Sequence, residues 1–422
     1  MRAIVIGIGY RGDVQPLVGL AAGLRAAGYS VTVATHDEFA PLVKEAGLGF
    51  HLLPGQVAQF IGGPAGAVLR DRISDRARFP SFAQSYMYGF LADLLDAVWA
   101  ACRNADMVFG WPLTRMLPTL AEGLGVPCFV VAPYPVPYFP TRAFPNPFEN
   151  DRPPPEPPAG KTRHTWLRGR VAFGTFAQPV LDAWRGRLGL APMPWQVERR
   201  RLRRLPHLLG YSPWVLPRPD DWPANVHCTG YWVHPIRPDY RPHAELEKFL
   251  ADGPQPVVFS FSSQVSKRTA VLTDAVLGAV ERTGQRAVLL AGWGGLRVRR
   301  LPPGVLQVPA APHDWLFPQA KAVVHHGGSG TTAAALLAGV PSAAVAFGYD
   351  QPLWGTRLAR LGVGPEPIPV SEVTLDRLTD MVSDLVSNPA RWNSAARAAA
   401  VLRAEDGVGN AVALVRDYLT RA

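Results

Sequence analysis

The chain has 422 residues, 48% of them hydrophobic and 18% charged, and carries a formal net charge of +10. This composition excludes a disordered chain, and the length exceeds one comfortable core, so two domains are expected. Three cysteines (Cys102, Cys128, Cys228) are odd in number and lack metal-ligand spacing, which argues against a disulfide framework or a zinc site and fits a reducing compartment.

The chain enters an apolar strand at once, over Ile4 to Gly7, with no charged leader, and no window approaches a transmembrane span. A soluble, cytoplasmic protein is expected. Helix Gln15 to Ala27, strand Tyr29 to Thr35, helix Ala40 to Ala46 and strand Gly49 to Leu53 follow. Strand-like runs then stand at Met107–Phe109 and Phe129–Val131. Apolar strands alternating with helices indicate a doubly wound parallel sheet. Two stretches break the rhythm and read as irregular: Gln56 to Phe90, rich in Gly, Arg and aromatics, and Tyr134 to Lys161. The densest basic cluster, Arg199-Arg200-Arg201 with Arg203 and Arg204, lacks a recognised nucleic-acid module. It reads as a solvated helix face or interdomain surface, and no nucleic-acid partner is expected.

A Pro-rich stretch, Ser212 to Pro223, reads as a linker, after which the alternation restarts. Strands are expected at Pro256–Phe261, Arg286–Ala291, Val305–Val308, Ala322–Val324 and Ala343–Ala346, and helices at Pro389–Ala404 and Asn410–Leu419. The expected division is an N-terminal domain over 1–211, a linker over 212–235 and a C-terminal domain over 236–422.

The most informative segment is His325-His326-Gly327-Gly328-Ser329-Gly330-Thr331-Thr332, between a short apolar strand and an Ala/Leu-rich helix. Such a turn can be plain capping chemistry. It also brings backbone N–H groups to an anion at a helix N-terminus, where the dipole favours negative charge. His325, Ser329 and Thr331 add donors. Asp350-Gln351 downstream offers acceptors and donors together, a clamp suited to a polyol such as a sugar ring. Phosphate cradle plus polyol clamp suggests a nucleotide-sugar.

A second glycine motif competes. Gly7-Ile8-Gly9-Tyr10-Arg11-Gly12 matches the dinucleotide fingerprint letter for letter. Against it, Asp13 would put a carboxylate where a pyrophosphate sits. Pro16 belongs in a first helical turn, so the helix should begin later than in the fingerprint.

Taken together, Pro312-His313-Asp314-Trp315-Leu316-Phe317-Pro318, the HHGGSGTT run, Gly339-Val340-Pro341 and Asp350-Gln351-Pro352-Leu353-Trp354-Gly355 resemble the donor-binding signature of GT-B glycosyltransferases. The likeness is nearest to the branch of sterol glucosyltransferases and bacterial antibiotic glycosyltransferases. Arg11-Gly12-Asp13-Val14-Gln15-Pro16 resembles the N-terminal signature of that branch. The resemblance implies an α/β protein of two Rossmann-like, doubly wound parallel-sheet domains facing across a cleft, with terminal helices packing back on the N-domain. It puts the general base at Asp13. The residue chemistry agrees, because a hydroxyl attacks weakly unless a base takes its proton, although Asp is also a favoured helix cap. It further implies donor contacts at Ser263, the backbone near Val308, His325, Gly327, Gly328, Ser329, Gly330, Thr331, Asp350 and Gln351; Trp293, where a strand feeds a loop at the cleft, reads equally as lining the nucleoside pocket or as core or rim.

No Asp-x-Asp motif occurs, so metal-independent, inverting transfer is expected, with no cofactor beyond a UDP- or dTDP-sugar co-substrate and with the leaving diphosphate held by the helix N-terminus. The crowd of aromatics in the irregular stretches points to an apolar acceptor, a polyketide or antibiotic-like aglycone, contacted by Tyr10, Phe60, Phe82, Tyr86, Tyr134 and Phe139. A sterol or other lipid is the alternative and would bring peripheral membrane contact. Rival readings are a nucleotide-sugar epimerase or hydrolase, and a catalytically idle homologue that activates a true transferase.

Overall fold

The computed structural model describes residues 1–55, 81–111, 115–136, 139–146, 177–234, 240–261, 268–292, 296, 298 and 300–421. Among these, the first half forms a seven-stranded sheet from β1 (Arg2–Ile6), β2 (Ser30–Thr35), β3 (Gly49–Leu52), β4 (Met107–Gly110), β5 (Cys128–Ala132), β6 (His207–Leu209) and β7 (Val226–Cys228). Their spatial order is β3-β2-β1-β4-β5-β6-β7. The second half forms a six-stranded sheet from β8 (Val257–Ser260), β9 (Ala287–Leu290), β10 (Val305–Val308), β11 (Ala322–His325), β12 (Ser342–Ala346) and β13 (Ile368–Pro369), ordered β10-β9-β8-β11-β12-β13. Every pairing is parallel. The central strands are Val/Ile/Ala/Phe runs buried on both faces, as a sheet covered by helices on each side requires.

Strand order reverses between β1 and β4 in the first sheet and between β8 and β11 in the second. In open α/β sheets the crevice beyond the carboxyl ends of the strands at such a reversal is where ligands bind. The turn after β1 carries Asp13 and the turn after β11 carries the glycine run, so both motifs stand at switch points.

Four expectations need correction. The helix after β1 spans Arg11–Ala26 and begins earlier than Pro16 implied, so Pro16 lies in its second turn. Asp13 explains the early start. Its carboxylate reaches back to the Tyr10 N–H, capping the helix from its third residue and not from the N-cap position. Residues 81–90 are not irregular but open the helix Ser81–Cys102. The expected linker is not a free one over its described residues, 212–234. It contains edge strand β7, and its Val215, Trp222, Tyr231 and Trp232 are buried in the core. Apolar side chains among its prolines override the linker-like composition. Phe139, expected against an acceptor, is core: its ring meets His207 edge-on at 4.7 Å and its carbonyl accepts from Trp222 Nε1.

The arginine cluster lies on helix Trp195–Arg204, with Arg200, Arg201, Arg203 and Arg204 exposed and Leu202 turned inward, a solvated helix face. No helix among the described residues is long and apolar enough to cross a membrane.

The two halves share a core. Ala333, Leu336, Leu353, Trp354 and Leu402 of the second half pack in one cluster with Val130, Tyr134, Tyr211 and Val215 of the first. Helix Pro389–Ala404 packs on helix Ser329–Ala338, whereas Gly407–Arg421 returns to helix Arg11–Ala26, burying Val412 and Val415 against Val14, Leu17 and Val18. This return crosses the chain at a tight point. A Cβ on Gly407 would lie 2.5 Å from the Gly230 carbonyl carbon and 2.6 Å from the Tyr231 oxygen, backbone atoms that cannot swing aside. Gly407→Ala should therefore cost roughly 1–3 kcal/mol through overpacking. Gly186→Ala, whose Cβ meets nothing within 4 Å, should instead be neutral or stabilising by up to about 1 kcal/mol through helix propensity. Chemical denaturation midpoints of the two variants check this pair, and equal midpoints would contradict the close packing at Gly407.

Candidate active site

At the N-terminal turn, Asp13 holds two hydrogen bonds. Its Oδ2 accepts from the Tyr10 N–H at 2.8 Å, and its Oδ1 accepts from the Tyr134 hydroxyl at 3.0 Å. Gly9 accommodates this carboxylate: its φ is +129°, and a Cβ there would stand 2.5 Å from Asp13 Oδ2. The space that the dinucleotide fingerprint reserves for a pyrophosphate is occupied by the protein's own anion. Burial pushes the Asp13 carboxyl up to about 6, against the lowering effect of the two donors.

At the second switch point, helix Ser329–Ala338 begins after Gly328, and its first N–H groups lack intrahelical partners. At the start of this helix Gly328 and Gly330 are partly accessible where Ser329 and Thr331 are buried, and a Cβ on Gly330 would meet nothing within 4 Å. Gly327 has φ +86°, and a Cβ there would lie 2.8 Å from the Gln351 carbonyl, so this turn sits tightly against the start of helix Gln351–Arg360.

The two histidines divide. His325 ends β11 fully buried, its Nδ1 accepting from the Gly327 N–H at 3.0 Å, and burial holds it neutral. Its remaining proton is therefore on Nε2, buried without a partner among the described residues. His326 flanks Gly328 so closely that a Cβ there would lie 2.4 Å from its Nε2. Burial lowers His326 to about 4 and His313 to about 3, the latter with help from the neighbouring His326 and Arg11. His313 Nε2 lies 3.1 Å from Ser260 Oγ. Arg11, heading the first-half helix, thus faces a neutral imidazole cluster of the second half. Sequence reasoning assigned no role to His313 or His326. The available signal was strand alternation, since adjacent residues at the end of β11 cannot face the same way.

Other expected donor residues are partly engaged. Ser329 donates its hydroxyl to the Pro133 carbonyl at 2.6 Å, so here it ties the halves together and is not left for a ligand. Thr331 is buried beside it. Gln351 Oε1 accepts from the Phe347 N–H at 2.7 Å, leaving its amide N–H groups, and Asp350 Oδ2 accepts from Trp354 Nε1 at 2.7 Å, leaving Oδ1. The Val308 carbonyl accepts from the Ala291 N–H at 3.0 Å and is already part of the sheet-end bonding. Tyr10 is partly exposed, whereas Tyr134 is buried beneath Asp13 and not open to an acceptor. Ser263, Trp293 and Phe60 lie outside the described residues. Phe82 and Tyr86 lie on helix Ser81–Cys102, but their side chains are outside the described set.

Asp350 completes the site. Burial raises its carboxyl to about 7, opposed by the Trp354 donor and reinforced by the charge of Asp13. Two carboxylates, one from each half, therefore share a field across the junction. A surface concavity lined by Lys248, Arg286 and Arg300 lies at the amino ends of β9 and β10, the wrong end of the sheet to join this site.

Comparison with known proteins identifies the family and the fold. The Glycosyltransferase family 28 N-terminal domain matches residues 3–145, and the Erythromycin biosynthesis protein CIII-like C-terminal domain matches residues 277–408. The chain is 35% identical to the O-mycaminosyltylonolide 6-deoxyallosyltransferase of Streptomyces fradiae over 99% of this chain and 97% of that relative. It is 32% identical to a sterol 3-beta-glucosyltransferase of Arabidopsis thaliana, spanning 66% of that longer protein. The glycotransferase of kitacinnamycin superposes with a TM-score of 0.71 at 20% identity, covering 99% of this chain and 98% of that one. The calicheamicin glycosyltransferase CalG4 superposes at 0.67 and 18% identity, covering 100% of this chain and 99% of that one. The architecture is that of the GT-B class. The chain belongs to the glycosyltransferase family that holds these macrolide and sterol enzymes.

The raised carboxyls carry a stability consequence. Between the ordinary carboxylate value and about 7, the folded protein keeps a proton at Asp350 that the unfolded chain has lost, so this group's contribution falls as pH rises through that window. Asp350→Asn, which keeps an acceptor for Trp354 without the charge, should raise the apparent melting temperature by roughly 2–4 °C at pH 8 and leave it unchanged below pH 4. Differential scanning fluorimetry at both pH values checks this, and an equal effect at both would contradict the assignment.

Proposed function

We propose that the protein is an inverting, metal-independent glycosyltransferase that moves a sugar from a UDP- or dTDP-sugar to the hydroxyl of an apolar natural product. The observation that carries this reading is the juxtaposition at the junction. A carboxylate with a raised pKa stands on one half, and an open glycine turn heading a helix stands on the other, joined through Tyr134–Asp13 and Ser329–Pro133. Asp13 would take the acceptor's proton as the oxygen attacks the anomeric carbon from the face opposite the diphosphate. The backbone N–H groups at Ser329 to Thr331 would meet the charge that develops on the leaving diphosphate. His326 is a better phosphate donor than His325, because it flanks the accessible turn while His325 is wholly interior. Asp350 Oδ1 and the Gln351 amide remain to hold sugar hydroxyls.

End-to-end similarity to the Streptomyces fradiae enzyme supports a polyketide-like acceptor, and a dTDP complex of the structurally similar VinC supports a nucleoside diphosphate donor. A sterol or other lipid is the second reading, supported by the Arabidopsis relative. A cytoplasmic location is part of the proposal.

Two variants test it, in transfer assays against a panel of UDP- and dTDP-sugars with macrolide and sterol acceptors. Asp13→Asn should lower turnover by roughly 10²–10⁴-fold while leaving affinity for the free nucleoside diphosphate intact. His326→Ala should weaken that affinity, measured by calorimetry, together with turnover. Near-normal turnover in Asp13→Asn would refute the base assignment. Unchanged diphosphate affinity in His326→Ala would place the phosphate contact elsewhere in the turn.

A further inference from the structure

Tyr134 was expected among acceptor-binding aromatics, but its position suits a different task. It lies two residues past the end of β5, is only 8% exposed, and directs its hydroxyl at Asp13 Oδ1. The other carboxylate oxygen is held from within its own helix by the Tyr10 N–H. One donor alone would leave the carboxylate free to rotate about its Cβ–Cγ bond. Two donors from independent elements fix its plane. The tyrosine is in turn braced, its ring meeting Trp111 edge-on at 6.5 Å and 86°. The preceding residue, Pro133, accepts from Ser329 of the donor-half turn.

We propose that Tyr134 is a positioning residue for Asp13, orienting the carboxylate through its hydroxyl and linking that orientation to the contact between the two halves. The inference rests on the reading of Asp13 as general base. It assigns Tyr134 no contact with substrate. Burial and the charges of Asp13 and Asp350 push the phenol well above its ordinary value, so it stays protonated and keeps the hydrogen that it donates to Asp13. The titratable groups facing Asp13 are Tyr134 from the first half and Asp350 from the second.

Tyr134→Phe removes the hydroxyl and keeps the ring, so packing is preserved. Because the lost bond favours the ionised carboxyl, the Asp13 midpoint should rise from about 6 by roughly one unit. This is read by ¹³C-carboxyl NMR titration, with Asp13→Asn assigning the resonance, and needs no substrate. In the transfer assay the acid limb of kcat should move up by the same amount. The pH-independent kcat should fall about tenfold, the loss expected for one charge-assisted hydrogen bond, with KM for the sugar donor unchanged. An unmoved Asp13 midpoint and unaltered kcat in a folded Tyr134→Phe protein would reduce Tyr134 to packing and overturn the proposal. A raised donor KM with unmoved midpoint would overturn it too, returning Tyr134 to the substrate-binding surface. Failure of the base reading shows separately, as normal turnover in Asp13→Asn.

Discussion

A carboxylate withdrawn from water must be compensated by donors, and the arrangement of the whole junction follows from how Asp13 meets that demand. One donor is the N–H of the residue that starts its own helix, which ties the carboxylate to the first turn after β1. The other comes from Tyr134, beyond β5 and two strands away in the sheet. Together they leave Asp13 ionisable, with a midpoint near 6, where an unpaired buried carboxyl would stay neutral across the physiological range. The segment carrying the second donor also accepts from Ser329. The charge on one half and the anion turn on the other are therefore set by one short stretch, Pro133-Tyr134.

That stretch sits inside a core common to both halves. Tyr211 and Trp354 meet at 5.7 Å, and Arg357 Nε donates to the Val215 carbonyl at 2.6 Å, so the start of the segment expected as linker is tied to the second half. A second tie closes where the chain returns. Ser212 donates to Glu405 at 2.7 Å and Asn410 Nδ2 donates to the Thr229 carbonyl at 3.0 Å. The helix beginning at Arg11 and the helix beginning at Ser329 approach each other as well.

The fold was readable from pattern because parallel strands buried on both faces are continuous apolar runs, and ten of the expected runs coincide with strands. What pattern missed were strands too short to show a run, His207–Leu209, Val226–Cys228 and Ile368–Pro369, which owe their existence to neighbours in the sheet. The site was readable as to segment but less so as to atom. The glycine run and Asp13 could be located, yet nothing in the letters says that Ser329 bonds Pro133 or that Tyr134 bonds Asp13, since those partners lie 196 and 121 residues apart. The helix start at Arg11 was missed for a related reason: Pro16 disfavours an interior position, and the bond from the Tyr10 N–H to Asp13 that closes the first turn cannot be read from the letters.

The two glycine turns show how similar strand-to-helix geometry carries opposite electrostatics. Each follows a strand at a switch point, each contains a left-handed glycine, and each opens a helix whose dipole attracts an anion. At Gly9 the anion is internal, because Asp13 curls back from the third helical position and fills the space. At Gly327-Gly328 the third helical position is Thr331, which has no charge to offer, and the nearby imidazoles are neutral. The first turn consequently presents a carboxylate to its surroundings and the second presents unsatisfied N–H groups. A reaction that removes a proton from one reactant while charge builds on a departing diphosphate requires that pair of opposite ends, set against one another across the junction.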